Sequence, residues 1–223
     1  MLQYRQLLTI FLTFTALGLL APQTSQAEAL RKQSSVWPEQ ELEASQELKL
    51  SFSARMIAQT HSRYAEAARL LRQGNQQYEL SKFDDAIVSW QQSLNLYQAL
   101  ESQQGQAAAL VSLGSAYLSL NQYHQSIVYY EQGLLMYQAI EDHQGQAITL
   151  MNLGSVYLSL NEHHRAIAFY NQALELLQVP EERRRRATTL VNLGIAHLGI
   201  NAHSEAVSYY EQALELFQLL ERL

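Results

Sequence analysis

Two patterns in this sequence have the residue types of a working site. Of the seven histidines, His124 and His164 stand forty positions apart, and so do His163 and His203. Histidines repeating in register suggest zinc, which needs imidazole nitrogens about 2.0–2.1 Å from a single ion. Four consecutive arginines, Arg183 to Arg186, suggest an anion cradle or an acidic partner. Geometry weakens both. If forty residues make one stacked unit, equivalent histidines are separated by about 10 Å, a helix packing distance. His163 and His203 also stand where Phe83 and Tyr123 occur in other copies of the same frame, the place of a packed flat ring. Four consecutive helical positions point in four directions, so the arginines cannot all close on one phosphate. Glu181, Glu182 and Glu175 are their expected neighbours. Arginine at the positive end of a helix is mildly unfavourable, which keeps an acidic partner as the other reading. No Ser/His/Asp or Cys/His set has a strand–turn–helix setting, and every glycine of the frame recurs by register rather than in a phosphate loop. No catalytic residue, metal or cofactor is expected, and the chain does not read as an enzyme.

The elements that hold these residues come from one repeated frame. Leu150, Leu153, Gly154 and Tyr157 fall at i, i+3, i+4 and i+7, one face of a helix. Ala166, Tyr170, Ala173 and Leu174 mark a second helix. The frame returns forty residues earlier around Gly114 and Tyr130, and forty later around Gly194 and Tyr210. A worn copy surrounds Gly74 and Trp90, with Gln73 and Gln77 in place of the Leu and Tyr. Leu120-Asn121, Leu160-Asn161 and Ile200-Asn201 join the paired helices, and Asn tolerates the left-handed conformation of a tight turn. Gly154 and Ala166 are small because their helices must approach closely there, with Tyr157 and Tyr170 filling the surrounding space. A lone pair cannot cover its apolar face, so the copies stack on one continuous core.

These residues resemble the tetratricopeptide repeat, with Leu-Gly-x-x-Tyr on the first helix and Ala-x-x-x-aromatic on the second. The resemblance covers 63–223, in repeats of about 63–102, 103–142, 143–182 and 183–223. The period exceeds the usual value of about 34, which resembles the long-helix subfamily of adaptor proteins. The implied fold is all-α, a right-handed α-solenoid of antiparallel helix pairs. The implied function is a protein-interaction module or scaffold that takes a protein or peptide partner in its concave groove.

The wheel of the first helices identifies that groove. With Leu110, Leu113, Gly114 and Tyr117 buried, Ser112, Ser115 and Ser119 point about 140–200° away. The equivalent sets are Asn152, Ser155, Ser159 and Asn192, Ile195, Gly199, flanked by Val111, Met151, Val191 and by Leu118, Leu158, Leu198. Small polar centres and aliphatic walls suit an extended peptide. By resemblance, Asn152 and Asn192 hold its backbone; the bland reading makes them capping or solvated residues. Arg72 is the only cation in this column, so a clamp for C-terminal carboxylates is not expected.

Residues 1–27 read as a secretory signal, with Arg5 as leader, Leu7 to Ala21 as apolar core, and Ser25-Gln26-Ala27 as cleavage site. The rival reading is a retained anchor, although spanning takes about 20 apolar residues. Cleavage implies an exported, periplasmic or secreted protein without stable membrane insertion. Without Arg5 the chain carries 14 basic against 21 acidic residues, which argues against nucleic acid as a partner. There is no cysteine, so packing alone must hold the fold. Residues 28–62 read as a polar linker followed by a capping helix or helices from Pro38 to Thr60, with a degenerate fifth repeat as the alternative. At the other end, Phe217, Leu219, Leu220 and Leu223 form an apolar terminus with no room for a closing helix. The expectation there is association, as a homodimer or with a partner, through Ala213 to Leu223.

Overall fold

The computed structural model describes residues 39–221. The expected signal, its cleavage site and Leu223 lie outside the described residues. The chain divides into two compact units, Met1–Ala58 and Gln59–Leu223. In the first, the described residues are helical, and Leu48, Phe52, Met56 and Ile57 are exposed. No helix among the described residues is long and apolar enough to cross a membrane.

Eight α-helices occur among the described residues: α1 (Glu39–Glu79), α2 (Phe83–Ala99), α3 (Gln103–Ser119), α4 (Tyr123–Ala139), α5 (His143–Ser159), α6 (His163–Leu176), α7 (Arg183–Gly199) and α8 (His203–Glu221). The sequence reading separates a cap ending near Thr60 from a repeat helix starting at Arg63. Instead α1 is unbroken, since no proline, glycine or left-handed residue interrupts Glu39 to Gln73.

Six of the connections share one turn. Ser81, Glu101, Asn121, Glu141, Asn161 and Asn201 all have φ between 54° and 60°. After each first helix of the later repeats, the same two bonds close the end. At Asn121 its N–H donates to the Leu118 carbonyl, and the Gln122 N–H reaches back to Tyr117. This is the Schellman arrangement, which satisfies carbonyls left over at a helix end. The next helix then starts at once, so the pair is antiparallel. The link after α6 is different: Val179 is extended and Pro180–Glu182 form one turn of 3₁₀-helix before α7.

Within the second unit α2 to α8 pack on their neighbours in sequence, and Trp90 of α2 lies on Gly74 of α1. In addition, α3 and α5, and α5 and α7, bring Cα atoms within 8 Å of each other, whereas no two of the second helices α2, α4, α6 and α8 do so. A stack whose first helices meet while its second helices diverge is curved, with the first helices inside. The core follows the repeat: Leu113, Leu153 and Leu193 are fully buried, as are Ala116, Val156 and Ala196.

Candidate interaction surfaces

The core aromatic of each repeat sets the inner face. A Cβ built on Gly154 would lie 2.6 Å from Cε1 of Tyr170, and one on Gly114 would lie 2.7 Å from Cδ1 of Tyr130. Gly194 faces Tyr210, and Gly74 faces Trp90. The glycine therefore seats a ring rather than allowing two backbones to touch. Burial pushes the Tyr130 phenol up to about 12 and raises that of Tyr170, because the anion would lose its water.

That seating changes the meaning of two predicted groove residues. Tyr130 donates its hydroxyl to Ser115 Oγ at 3.0 Å, and Ser115 in turn donates to the Val111 carbonyl. Ser155 makes the same pair of bonds, to Tyr170 and to the Met151 carbonyl. Asn75 accepts from the Trp90 indole in the first repeat. Ser115 and Ser155 thus tether buried rings, and their hydroxyls are committed. Met151 packs its side chain on Leu150, Ala173 and Leu177.

One turn earlier the situation is reversed. Arg72, Ser112, Asn152 and Asn192 occupy one position in four successive repeats. Arg72 is exposed and the other three are half-buried. The Asn amides lie mid-helix, where they cap nothing, and none of the four side chains makes a hydrogen bond to another described residue. A column of unspent donors and acceptors therefore runs along the inner helices. Between Lys82 and Arg165 the sequence contains no Lys or Arg, so the middle of this face has no cation to offer a carboxylate.

The histidines and arginines divide between packing and exposure, and His203 does not take the place of a packed ring expected of it. His124, His164 and His203 are exposed. The His163 ring lies over Gly199 of the following repeat, where a Cβ would come within 2.4 Å of it. No group of three His, Asp or Glu suitable for a metal occurs among the described residues. Arg185 is paired with the buried carboxylate of Glu182, which also accepts from Gln144 Nε2 at 2.9 Å. Arg186 bonds Gln178, whereas Arg183 and Arg184 have no side-chain partner among the described residues.

Two features of the array escape a reading of single repeats. Tyr97 lies on Gly105 and Tyr137 on Gly145, each ring crossing to the next repeat. Ser102 and Asp142 cap these two helices by accepting the glycine N–H. In the third junction Leu177 replaces the ring, and Arg185 with Glu182 replaces the glycine and its cap. A second ladder pairs Tyr117 with Tyr129 and Tyr157 with Phe169, stacked with centroids 5.1 and 5.2 Å apart. The worn first repeat has Ser89 donating to Gln77 at that place, so its two departures compensate each other. Comparing columns across repeats, rather than reading each motif, would have found both.

At the far end, Leu219 is exposed and Leu220 half-buried, but they do not form the main apolar strip. Val207, Leu214 and Phe217 do, with half-buried Tyr210 between them, at i, i+3, i+7 and i+10 of α8.

A solenoid of helical hairpins with a ring-on-glycine frame and an uncommitted inner column defines a class of scaffold built for protein contact. The sequence model of the tetratricopeptide repeat matches residues 106–179 and 147–218, together about half of the chain, and the chain belongs to that family. The family's arrays are typically non-catalytic scaffolds for protein partners. Among solved structures, the fold is similar to BtubC (BKLC) from P. vanneervenii, with TM-score 0.64 and 17% identity over 70% of this chain and 64% of that one. It is similar to MamA, with TM-score 0.56 and 23% identity over 71% and 82% of the two chains. Aspartyl phosphate phosphatase F from Bacillus subtilis superposes with TM-score 0.68 and 16% identity over 71% of this chain and 42% of its own. The chain thus spans less than two thirds of the first and third of these structures. No curated protein matches the sequence.

Proposed function

We propose that the array is a peptide-binding scaffold that receives an extended segment of a partner protein along its inner helices. The observation that carries this reading is the column of Ser112, Asn152 and Asn192, three polar groups without a side-chain partner among the described residues, repeated once per hairpin. Amides with both a donor and an acceptor match the alternating N–H and C=O of an extended backbone, and the aliphatic neighbours take side chains. The absence of Lys and Arg between 82 and 165 favours recognition through backbone and apolar contacts over capture of a terminal carboxylate. Arg72 supplies the one charge in this column, placing any acidic side chain of the ligand at the first repeat. The leader around Arg5, Leu7–Ala21 and Ala27 supports export as the setting, which mass spectrometry of the mature N-terminus tests.

Replacing Asn152 and Asn192 by alanine is the test of this site. Capture of partner from the exported fraction should weaken with thermal melting unchanged; equal capture removes both residues from the site. A second reading, assembly through the last repeat, is favoured by exposed Leu214 and Phe217.

A further inference from the structure

We infer that the stacking face of α8 docks a partner helix with the chemistry of a repeat's own first helix, carrying a glycine beneath Phe217. The face is defined by the internal repeats. Tyr130, with Ile127 and Leu134, is covered by Leu153 and Val156 of α5. Tyr170, with Ile167 and Leu174, is covered by Leu193 and Ala196 of α7. The same register on α8 reads Val207, Tyr210, Leu214 and Phe217. Among the described residues no helix lies on it, and Val207, Leu214 and Phe217 are 55%, 57% and 37% exposed. The surface is thus an interior one, covered on α2, α4 and α6 and uncovered on α8 among the described residues. An open apolar face continuous with established junctions calls for the element that closes the others.

The ring at its end specifies the occupant further. Tyr97 and Tyr137 each lie on a glycine of the next first helix, and where Leu177 takes that place the glycine has become Arg185. Phe217 restores the ring, so the covering helix needs the glycine again. After it should come a small residue four positions on, as Ala109 and Thr149, and a leucine eight positions on, as Leu113 and Leu153.

A second copy does not supply such a helix. Its first-repeat helix carries Ala65, Arg69, Gln73 and Gln76 at the matching positions, and Arg69 is held by Glu66 and Gln73 at 2.6–2.9 Å. Stacking that end on Leu214 and Phe217 would bury charged groups against apolar ones. Two α8 faces meeting across a two-fold axis would give Phe217 no glycine, since α8 contains none. The expected homodimer therefore lacks a match to the ring.

The probe is a fluorescein-labelled peptide of residues 143–160, which carries Gly145, Thr149 and Leu153 in the required frame, titrated into the full chain by anisotropy. Saturable binding is expected, with an affinity loss of about tenfold or more for Leu214→Glu and for Phe217→Glu. Gly145→Leu in the peptide should cause a similar loss, which ties binding to the ring register. Leu219→Glu, outside the strip, should bind as the unmodified chain does. No saturable binding, or binding indifferent to Phe217→Glu and Leu214→Glu, overturns the proposal. Light scattering supplies the other arm: a stable dimer that Leu214→Glu dissociates, and that refuses the peptide, assigns the face to a second copy and overturns it equally.

Discussion

Gly154→Ala is the smallest perturbation that probes how each repeat is built. In an ordinary exposed helix, replacing glycine by alanine stabilises by about 0.5–1 kcal/mol, since alanine loses less backbone freedom on folding. Here the added methyl would stand 2.6, 2.7 and 2.8 Å from three atoms of the Tyr170 ring. Tyr170 is fully buried and its hydroxyl is bonded to Ser155, so the ring cannot swing aside without breaking that bond. Overpacking of this kind costs about 1–3 kcal/mol. The net expectation is a loss of about 1–2 kcal/mol, opposite in sign to the helix-propensity effect. The companion variant decides the cause. With Tyr170→Leu already in place the ring is gone, and Gly154→Ala should then stabilise by about 0.5–1 kcal/mol. The coupling energy of the cycle is thus about 2 kcal/mol. Urea unfolding followed by helical circular dichroism measures it, with the slope checked for each variant because stacked repeats can lose cooperativity. If Gly154→Ala alone matches or exceeds the unmodified protein in stability, the ring-on-glycine account is refuted.

Three further outcomes follow from named groups. The Tyr130 phenol is raised to about 12 by burial, above its unfolded value near 10. Its contribution is whole below pH about 10 and is lost as pH rises towards 12, about 2–3 kcal/mol in all. Alkaline urea midpoints should fall in that window, and less steeply for Tyr130→Phe. Glu141 adopts φ 55°, where a side chain costs about 1–2 kcal/mol, so Glu141→Gly should raise the unfolding free energy by about 0.5–1 kcal/mol after its unfolded-state entropy is counted, read as a higher urea midpoint. Both ring nitrogens of His197 are buried without a partner, at the position held by Tyr117 and Tyr157 in the stacked pairs. His197→Tyr should restore the stack on Tyr209 and stabilise by about 1 kcal/mol, which thermal melting would show.

Much of the fold was legible because one frame recurs four times. Asn121, Asn161 and Asn201 announced their left-handed turns by residue type. Glu101 and Glu141 adopt the same conformation unannounced, since the register of the stack, not the residue, places the turn there. The long α1 was missed because a helix without a stop signal simply continues. On the candidate surface, the inner column of Asn152 and Asn192 could be read from a helical wheel. That Ser115 and Ser155 instead hold Tyr130 and Tyr170 could not, because the wheel gives direction and not hydrogen-bond reach. The strip from Val207 to Phe217 was visible only in part: Phe217 and Leu219 stood out by hydrophobicity, whereas the true strip is defined by which columns earlier repeats bury.

The central claim is that the inner column, and not the convex surface of the second helices around Val128, holds the extended partner segment. A photo-reactive residue placed at Asn152 tests it, compared with one at Val128, which is exposed on the second helix α4. Both variants would be exposed to the partner captured from the exported fraction and irradiated. The account predicts a partner adduct from position 152 and none from position 128. An adduct from 128 alone would contradict it.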